Sequence, residues 1–112
     1  MFCKILAGKI PVKLIAGSKY AVAFKDVKPS AKLHVLIIPK KHINNVLTIN
    51  KKDSQILYEM YDLGEKLVNK YKLKKFRFII NGGKYLEVNH LHLHLLAGKL
   101  TDWAKKDLIN DN

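Results

Sequence analysis

Three of the five histidines in this chain fall at alternating positions, His90, His92 and His94, within NHLHLHLLAG (89–98). An imidazole can ligate a metal, move a proton or attack an electrophile, so three on one short segment ask for a chemical reason. In an extended chain, residues two apart share a face, with a rise of roughly 3.3 Å per residue. The three rings would then line one face while Leu91, Leu93 and Leu95 pack the other. Threonine or lysine would serve a merely solvent-facing strand, and histidine has no special strand propensity. Two chemistries fit the spacing. Imidazoles at i, i+2 on a strand can share a zinc or iron ion. Alternatively, one ring attacks phosphorus while its neighbours hold the phosphate oxygens, as in phosphoryl or nucleotidyl transfer. The transfer reading needs a neutral ring with a free lone pair, oriented by a hydrogen bond at its other nitrogen. The metal reading wants further ligands, and Glu87 is the only carboxylate close in sequence. Spacing alone leaves both open.

The elements that must position these rings can be read from periodicity. Residues 2–7 suit a helical turn, and IPVKLIAG (10–17) an extended run. YAVAFKD (20–26) is rich in strand formers and ends at DVKPS, where Pro29 and Ser30 mark a turn. HVLIIP (34–39) reads as a buried strand closed by Pro39. Across 51–71 the period changes: Ile56, Leu57, Met60, Tyr61, Leu67, Val68 and Tyr71 recur at helical steps and form the core face of an amphipathic helix. FRFIIN (76–81) returns to strand character, Gly82-Gly83 supplies a turn, and HLHLHLL (90–96) is a last strand ended by Gly98. Strands, one long helix, then strands predict an α+β domain with a largely antiparallel sheet.

Composition narrows the classes. At 112 residues and 48% hydrophobic content, 1–112 reads as one ordered domain, small enough to gain from dimerisation. Apolar stretches such as VLII (35–38) are far below the roughly 20 residues of a membrane helix, so no membrane partner is expected. Lys4, Lys9 and Pro11 interrupt any leader-like run. Cys3, the only cysteine, can form no internal disulfide and is expected to be a free thiol outside any cysteine-based zinc site. A reducing, cytoplasmic setting follows as the expectation. The net charge of +12 would suit nucleic acid, but Arg77 is the only arginine and the lysines are scattered from Lys4 to Lys106. Bidentate phosphate or base reading favours arginine, so no nucleic-acid partner is expected. The positive field would still attract phosphorylated ligands.

The run His90-Leu91-His92-Leu93-His94-Leu95-Leu96 matches His-φ-His-φ-His-φ-φ, with φ apolar, at every position. With AFKDVKPSAKLHVLIIPKKHI (23–43), FCKILAGKIPVKLI (2–15) and FIING (78–82), the sequence resembles the histidine triad (HIT) family, in its Hint branch of protein kinase C inhibitor-like adenosine phosphoramidases. The resemblance implies a HIT-like fold: an antiparallel sheet with one long helix and a short N-terminal helix, the sheet extending across a homodimer. It also implies transfer of a nucleoside monophosphate, most often AMP, through a covalent nucleotidyl-histidine, with no cofactor and no metal. By position, His92 would be the nucleophile, His94 and His90 its phosphate ligand and hydrogen-bonding support, and His34 a fourth histidine that orients the others. Asp26 would hold the ribose hydroxyls, and Val27 its apolar neighbour against the base. Phe2, Ile5, Ile10 and Phe24 would form an apolar base pocket, with Asn81 near the phosphate and Glu87 and Val88 completing the nucleotide contacts. His42 stands outside the implied chemistry.

The expected function is therefore a nucleoside phosphoramidate hydrolase that releases AMP from adenosine 5′-phosphoramidates. The alternatives are a dinucleoside polyphosphate hydrolase or a purine-nucleotide-binding regulatory protein with little turnover. A third is a metal-binding module using His90, His92 and His94. Departures from the family pattern gather before the triad. Tyr85-Leu86-Glu87 stands where Gly-Gln-Ser or Gly-Gln-Glu is frequent, and Asn89 replaces a frequent tyrosine. Trp103 is a candidate for a tryptophan that reaches the partner's site. These departures bear on the leaving group rather than on the nucleophile.

Overall fold

A computed structural model describes residues 2–9, 12–86 and 88–100. Five strands form one antiparallel sheet: β1 (Leu14–Gly17), β2 (Ala21–Lys25), β3 (Ala31–Pro39), β4 (Arg77–Ile79) and β5 (Leu93–Leu100), in the order β1-β2-β3-β5-β4. The expected α+β class with a HIT-like antiparallel sheet is what the chain forms. β3 lies at the centre and is buried on both faces, which is why it reads as a continuous apolar run rather than an alternating one.

The two-residue alternation divides that run between two apolar layers. Val35 and Ile37 join Ala21, Ala23, Leu93 and Leu95 beneath the long helix α2 (Ser54–Lys70). Leu36 and Ile38 point the other way and pack with Val22, Phe24 and Phe2, the last carried by the short helix α1 (Phe2–Leu6). α2 starts from a 3₁₀ turn, Lys51–Asp53, in which Asn50 and Asp53 cap each other's backbone. The buried Asp53 carboxylate also accepts a 2.8 Å hydrogen bond from Lys41. The helix turns Met60, Leu63, Gly64 and Leu67 inward. Leu63 and Gly64 were absent from the expected core face, whereas Tyr61 was placed in it and instead lies 48% exposed, its ring set against the edge of Phe78. Gly64 lets α2 approach the Phe78 side chain of β4: a Cβ there would lie 2.8 Å from the ring.

The last strand is shifted from its expected position. β5 begins at Leu93, so His90 and His92 precede it and only His94 lies within it. It also runs through Gly98 to Leu100. Gly98 has φ +86°, and the pairing with β3 slips by a bulge between Ala31 and Leu33, so the strand kinks and continues. No helix among the described residues is long and apolar enough to cross a membrane.

Candidate active site

The pairing of β3 with β5 sets Leu36 opposite His94 and His34 opposite Leu96. His34 and His94 therefore project from neighbouring strands onto the same face, where their rings meet. The His34 Nε2 is 2.8 Å from the His94 Nδ1. Proton positions follow from the partners. The Ser30 backbone N–H donates to His34 Nδ1 at 2.9 Å, so that nitrogen holds a lone pair and His34 carries its hydrogen on Nε2. Nε2–H then donates to His94 Nδ1, which leaves the His94 hydrogen on Nε2. The His94 Nε2 lies 3.4 Å from the Asn81 Nδ2. Two N–H donors thus converge, a setting that suits an anionic oxygen.

Burial, assisted by the neighbouring rings of His92 and His34, pushes His94 down to about 3, so this ring is neutral near pH 7. Burial likewise lowers His34; the Asp26 carboxylate, with Oδ2 3.5 Å from its Nε2, opposes the shift, and His92 adds to it.

His92 lies between β5 and the preceding bend. Its Nδ1–H donates to the His90 carbonyl at 2.7 Å, which leaves the lone pair on Nε2. The His94 ring is 4.8 Å away, and the edge of Phe2 packs against the other side at 5.1 Å. With Nδ1 committed to that carbonyl, Nε2 is the nitrogen left to act as a nucleophile, the orientation a transfer reaction needs.

His90 stands apart. Its Nε2–H donates to the Pro39 carbonyl at 3.1 Å, its ring is flanked by Phe2 and His42, and burial lowers its proton affinity against the opposing effect of that carbonyl. It supports the segment from behind and does not line the cleft. The expectation that the three triad rings share one face is therefore corrected, because the strand alternation starts only at Leu93. A ligand group of His90, His92 and His94 does not form among the described residues. The clusters whose donor atoms lie within 4.8 Å of one another are Cys3, His42 and His90, and Asp26, His34 and His94. Cys3 is the free thiol expected, and it places its Sγ 3.2 Å from His42 Nδ1 and 3.6 Å from His90 Nδ1.

In front of these rings opens a cleft of about 490 Å³. Of the expected nucleotide contacts it is lined by Phe2, Asp26, Val27, Asn81 and Val88, together with His34, His92 and His94. Ile5 and Phe24 do not line it; they belong to the apolar layer behind Phe2. Ile10, Glu87 and Trp103 lie outside the described residues. Sequence reading missed Lys28, Ser30, Leu36, Lys84 and Tyr85, all of which line the cleft. Ser30 had been taken for a turn former alone, although its four-residue spacing from His34 lets its amide reach that ring. Asp26 is held by the turn it starts, its Oδ1 accepting the Lys28 backbone N–H at 2.9 Å.

Known proteins similar to this chain fall in one family. A family model described as "Scavenger mRNA decapping enzyme C-term binding" matches residues 1–108. The HIT-like protein BU357 of Buchnera aphidicola is 39% identical over 88% of this chain and 90% of its own length. The adenosine 5′-monophosphoramidase HNT1 of Saccharomyces cerevisiae is 31% identical over 96% of this chain and 71% of its own length. A HIT family hydrolase of Legionella pneumophila superposes with a TM-score of 0.85 at 37% identity, covering 95% of this chain and 98% of that one. With its triad sequence, its paired His34 and His94 and these relatives, the chain belongs to the histidine triad family, within its Hint branch.

Proposed function

We propose that the protein hydrolyses nucleoside phosphoramidates, releasing AMP from adenosine 5′-phosphoramidates through a covalent nucleotidyl-His92 intermediate. The observation that carries this reading is the 2.7 Å bond from His92 Nδ1–H to the His90 carbonyl, which leaves Nε2 as the attacking nitrogen in a cleft that His94 and Asn81 also line. Similarity to a yeast adenosine 5′-monophosphoramidase and to a Legionella hydrolase supports the reaction class.

In this reading Nε2 of His92 attacks phosphorus and the P–N bond breaks. The new imidazolium keeps its Nδ1–H on the His90 carbonyl, which disperses the positive charge. Phosphate oxygens accept hydrogen bonds from His94 Nε2–H and Asn81. His94, held neutral, is too weak an acid to protonate the departing amine, so that proton travels on the phosphoramidate nitrogen of the bound substrate. Water then attacks phosphorus, the P–Nε2 bond breaks, and AMP leaves with His92 restored. Asp26 holds the ribose hydroxyls, and Phe2, Val27, Leu36 and Val88 form the apolar wall for the base. Ile10 and Glu87 are kept as candidate contacts on family grounds, and so is the homodimer with a shared sheet.

The experiment is amine release from an adenosine 5′-phosphoramidate by wild type and His92→Ala, with a chelator present. Wild-type turnover is expected, falling at least about 10³-fold in the variant while AMP affinity changes by only a few-fold. A well-folded, AMP-binding wild type that turns over no phosphoramidate would overturn the reading in favour of polyphosphate hydrolysis or simple nucleotide binding.

A further inference from the structure

We infer that the substrate's leaving group carries a negative charge and that Lys84 is the residue that selects for it. The inference rests on the hydrolase reading above and adds the class of leaving group.

The inner end of the cleft offers no fixed positive charge. His34 and His94 are neutral rings near pH 7, and Asn81 is uncharged. Among the described residues, the lysine side chains that line the cleft are Lys28 and Lys84. Neither takes part in an ion pair among those residues. The Asp26 carboxylate is engaged elsewhere, accepting the Lys28 backbone N–H and facing His34. Two lysines in the cleft lining, neither in an ion pair among the described residues, make an attractive site for an anion.

The two lysines occupy different walls. Lys28 is two residues from Asp26, on the ribose side. Lys84 is three residues beyond Asn81, in the 3₁₀ turn Gly83–Tyr85. Gly83, with φ +58°, opens that turn in a conformation costly for other residues, so the phosphate-side segment bends and carries Lys84 and Tyr85 over the cleft. This turn stands where the sequence departs from the family pattern. A group leaving phosphorus on the Asn81 side passes Lys84. A carboxylate on the departing amine, as in an amino acid joined to phosphorus through its nitrogen, meets the ammonium there. A phosphate on the leaving group would present the same chemistry.

Lys84 is exposed, so the preference is modest, on the order of threefold to fivefold, and is screened by salt. The test compares kcat/KM for the adenosine 5′-phosphoramidates of alanine and of alaninamide, which differ by one carboxylate. Wild type, Lys84→Ala and Lys84→Glu are measured at low and high salt, with diadenosine tetraphosphate as a third substrate. A wild-type ratio above one that falls towards one in Lys84→Ala, inverts in Lys84→Glu and shrinks with salt is the expected result. Faster turnover of the tetraphosphate than of the alanine compound, with the same dependence on Lys84, assigns the anion as phosphate; the reverse assigns it as carboxylate. A ratio of one in wild type, or one that Lys84→Glu leaves unchanged, overturns the inference. If neither phosphoramidate is hydrolysed, the phosphoramidase reading fails by itself. The Lys84 test is then read from the ratio of their affinities in competition with AMP, with the same outcomes expected.

Discussion

The 2.8 Å contact between His34 Nε2 and His94 Nδ1 joins two strands through a single hydrogen. Because the Ser30 amide occupies the far nitrogen of His34, this contact has one direction, and it fixes which nitrogen of His94 faces the cleft as a donor. In the proposed reaction His34 would act through His94, without touching phosphorus itself. Removing it frees the His94 ring to flip or change tautomer. In His34→Ala, kcat is expected to fall about 10- to 100-fold, the range typical of partners that orient a reactive ring. His34→Gln, whose amide can donate from a similar place, should recover part of the loss. Single-turnover rates with both variants, alongside AMP affinity, check this; equal losses in the two would argue against orientation by hydrogen bond.

Phe2 links the N-terminal helix to the reactive ring. Its side chain is buried and meets His92, His90 and Phe24 edge-on at 5.1, 5.6 and 6.0 Å. Phe2→Ala should cost about 3–5 kcal/mol of stability, the range for truncating a buried phenylalanine. Activity should fall along with stability, since the apolar wall and the packing of His92 are lost together. Phe2→Leu should keep most of the stability. Urea unfolding with parallel kcat measurements separates the two effects.

How much of this could be read from the sequence depended on which features are local. The His-φ-His-φ-His pattern, the central strand around VLII and the amphipathic helix are short-range signals, and each marks an element that forms, the last strand with shifted bounds. Where the last strand begins is not local. Leu93 is the first residue paired with β3, opposite Ile37, and His94 the first paired with β4, so His90 is left outside the alternation and turns behind the cleft. Ile5 and Phe24 have the composition of a binding pocket and the packing of a core layer, and only the position of Phe2 in front of them tells the two apart. The cleft lysines were hidden by a chain in which lysine is common everywhere. Gly64 escapes a helix face traced through large apolar side chains, because it is there for its smallness.

That smallness gives a prediction of its own. Alanine at position 64 would gain helix propensity, worth about 1 kcal/mol over glycine. Its Cβ, however, would stand 2.8 and 2.9 Å from two Phe78 ring atoms and 3.4 Å from the Ile37 Cδ1. The Phe78 ring is half-buried and packs against the rings of Tyr61 and Phe76, so it cannot withdraw as a lysine tip could. Overpacking should therefore win, with Gly64→Ala destabilising by about 1–3 kcal/mol. Adding Phe78→Leu should relieve the clash, so the double variant is expected to be more stable than the sum of the single changes. A double-mutant cycle by chemical denaturation measures that coupling. Simple additivity would show that the contact is not the cause.

The buried imidazoles also set how stability responds to acid. His94 titrates at about 3 in the folded chain against an ordinary value of 6.5, and burial lowers His34 and His90 in the same direction. As the pH falls below about 6.5 the unfolded chain takes up protons on these rings while the folded chain does not. The unfolded state then binds more protons, so stability decreases as the pH falls, by up to about 1.4 kcal/mol per pH unit for His94 alone. Asp53, held below the ordinary carboxylate range chiefly by its hydrogen bond from Lys41, adds a loss only at lower pH, leaving the window from about 6.5 to 4.5 to the histidines. Urea midpoints should change little between pH 8 and 7 and then drop steadily to pH 4.5. His94→Asn, which cannot titrate, should flatten part of that slope even though it is less stable at pH 7. A wild-type midpoint that stays level down to pH 4.5 would mean that the rings are protonated in the folded state, and the lone pair assigned to His94 Nδ1 would have to be withdrawn.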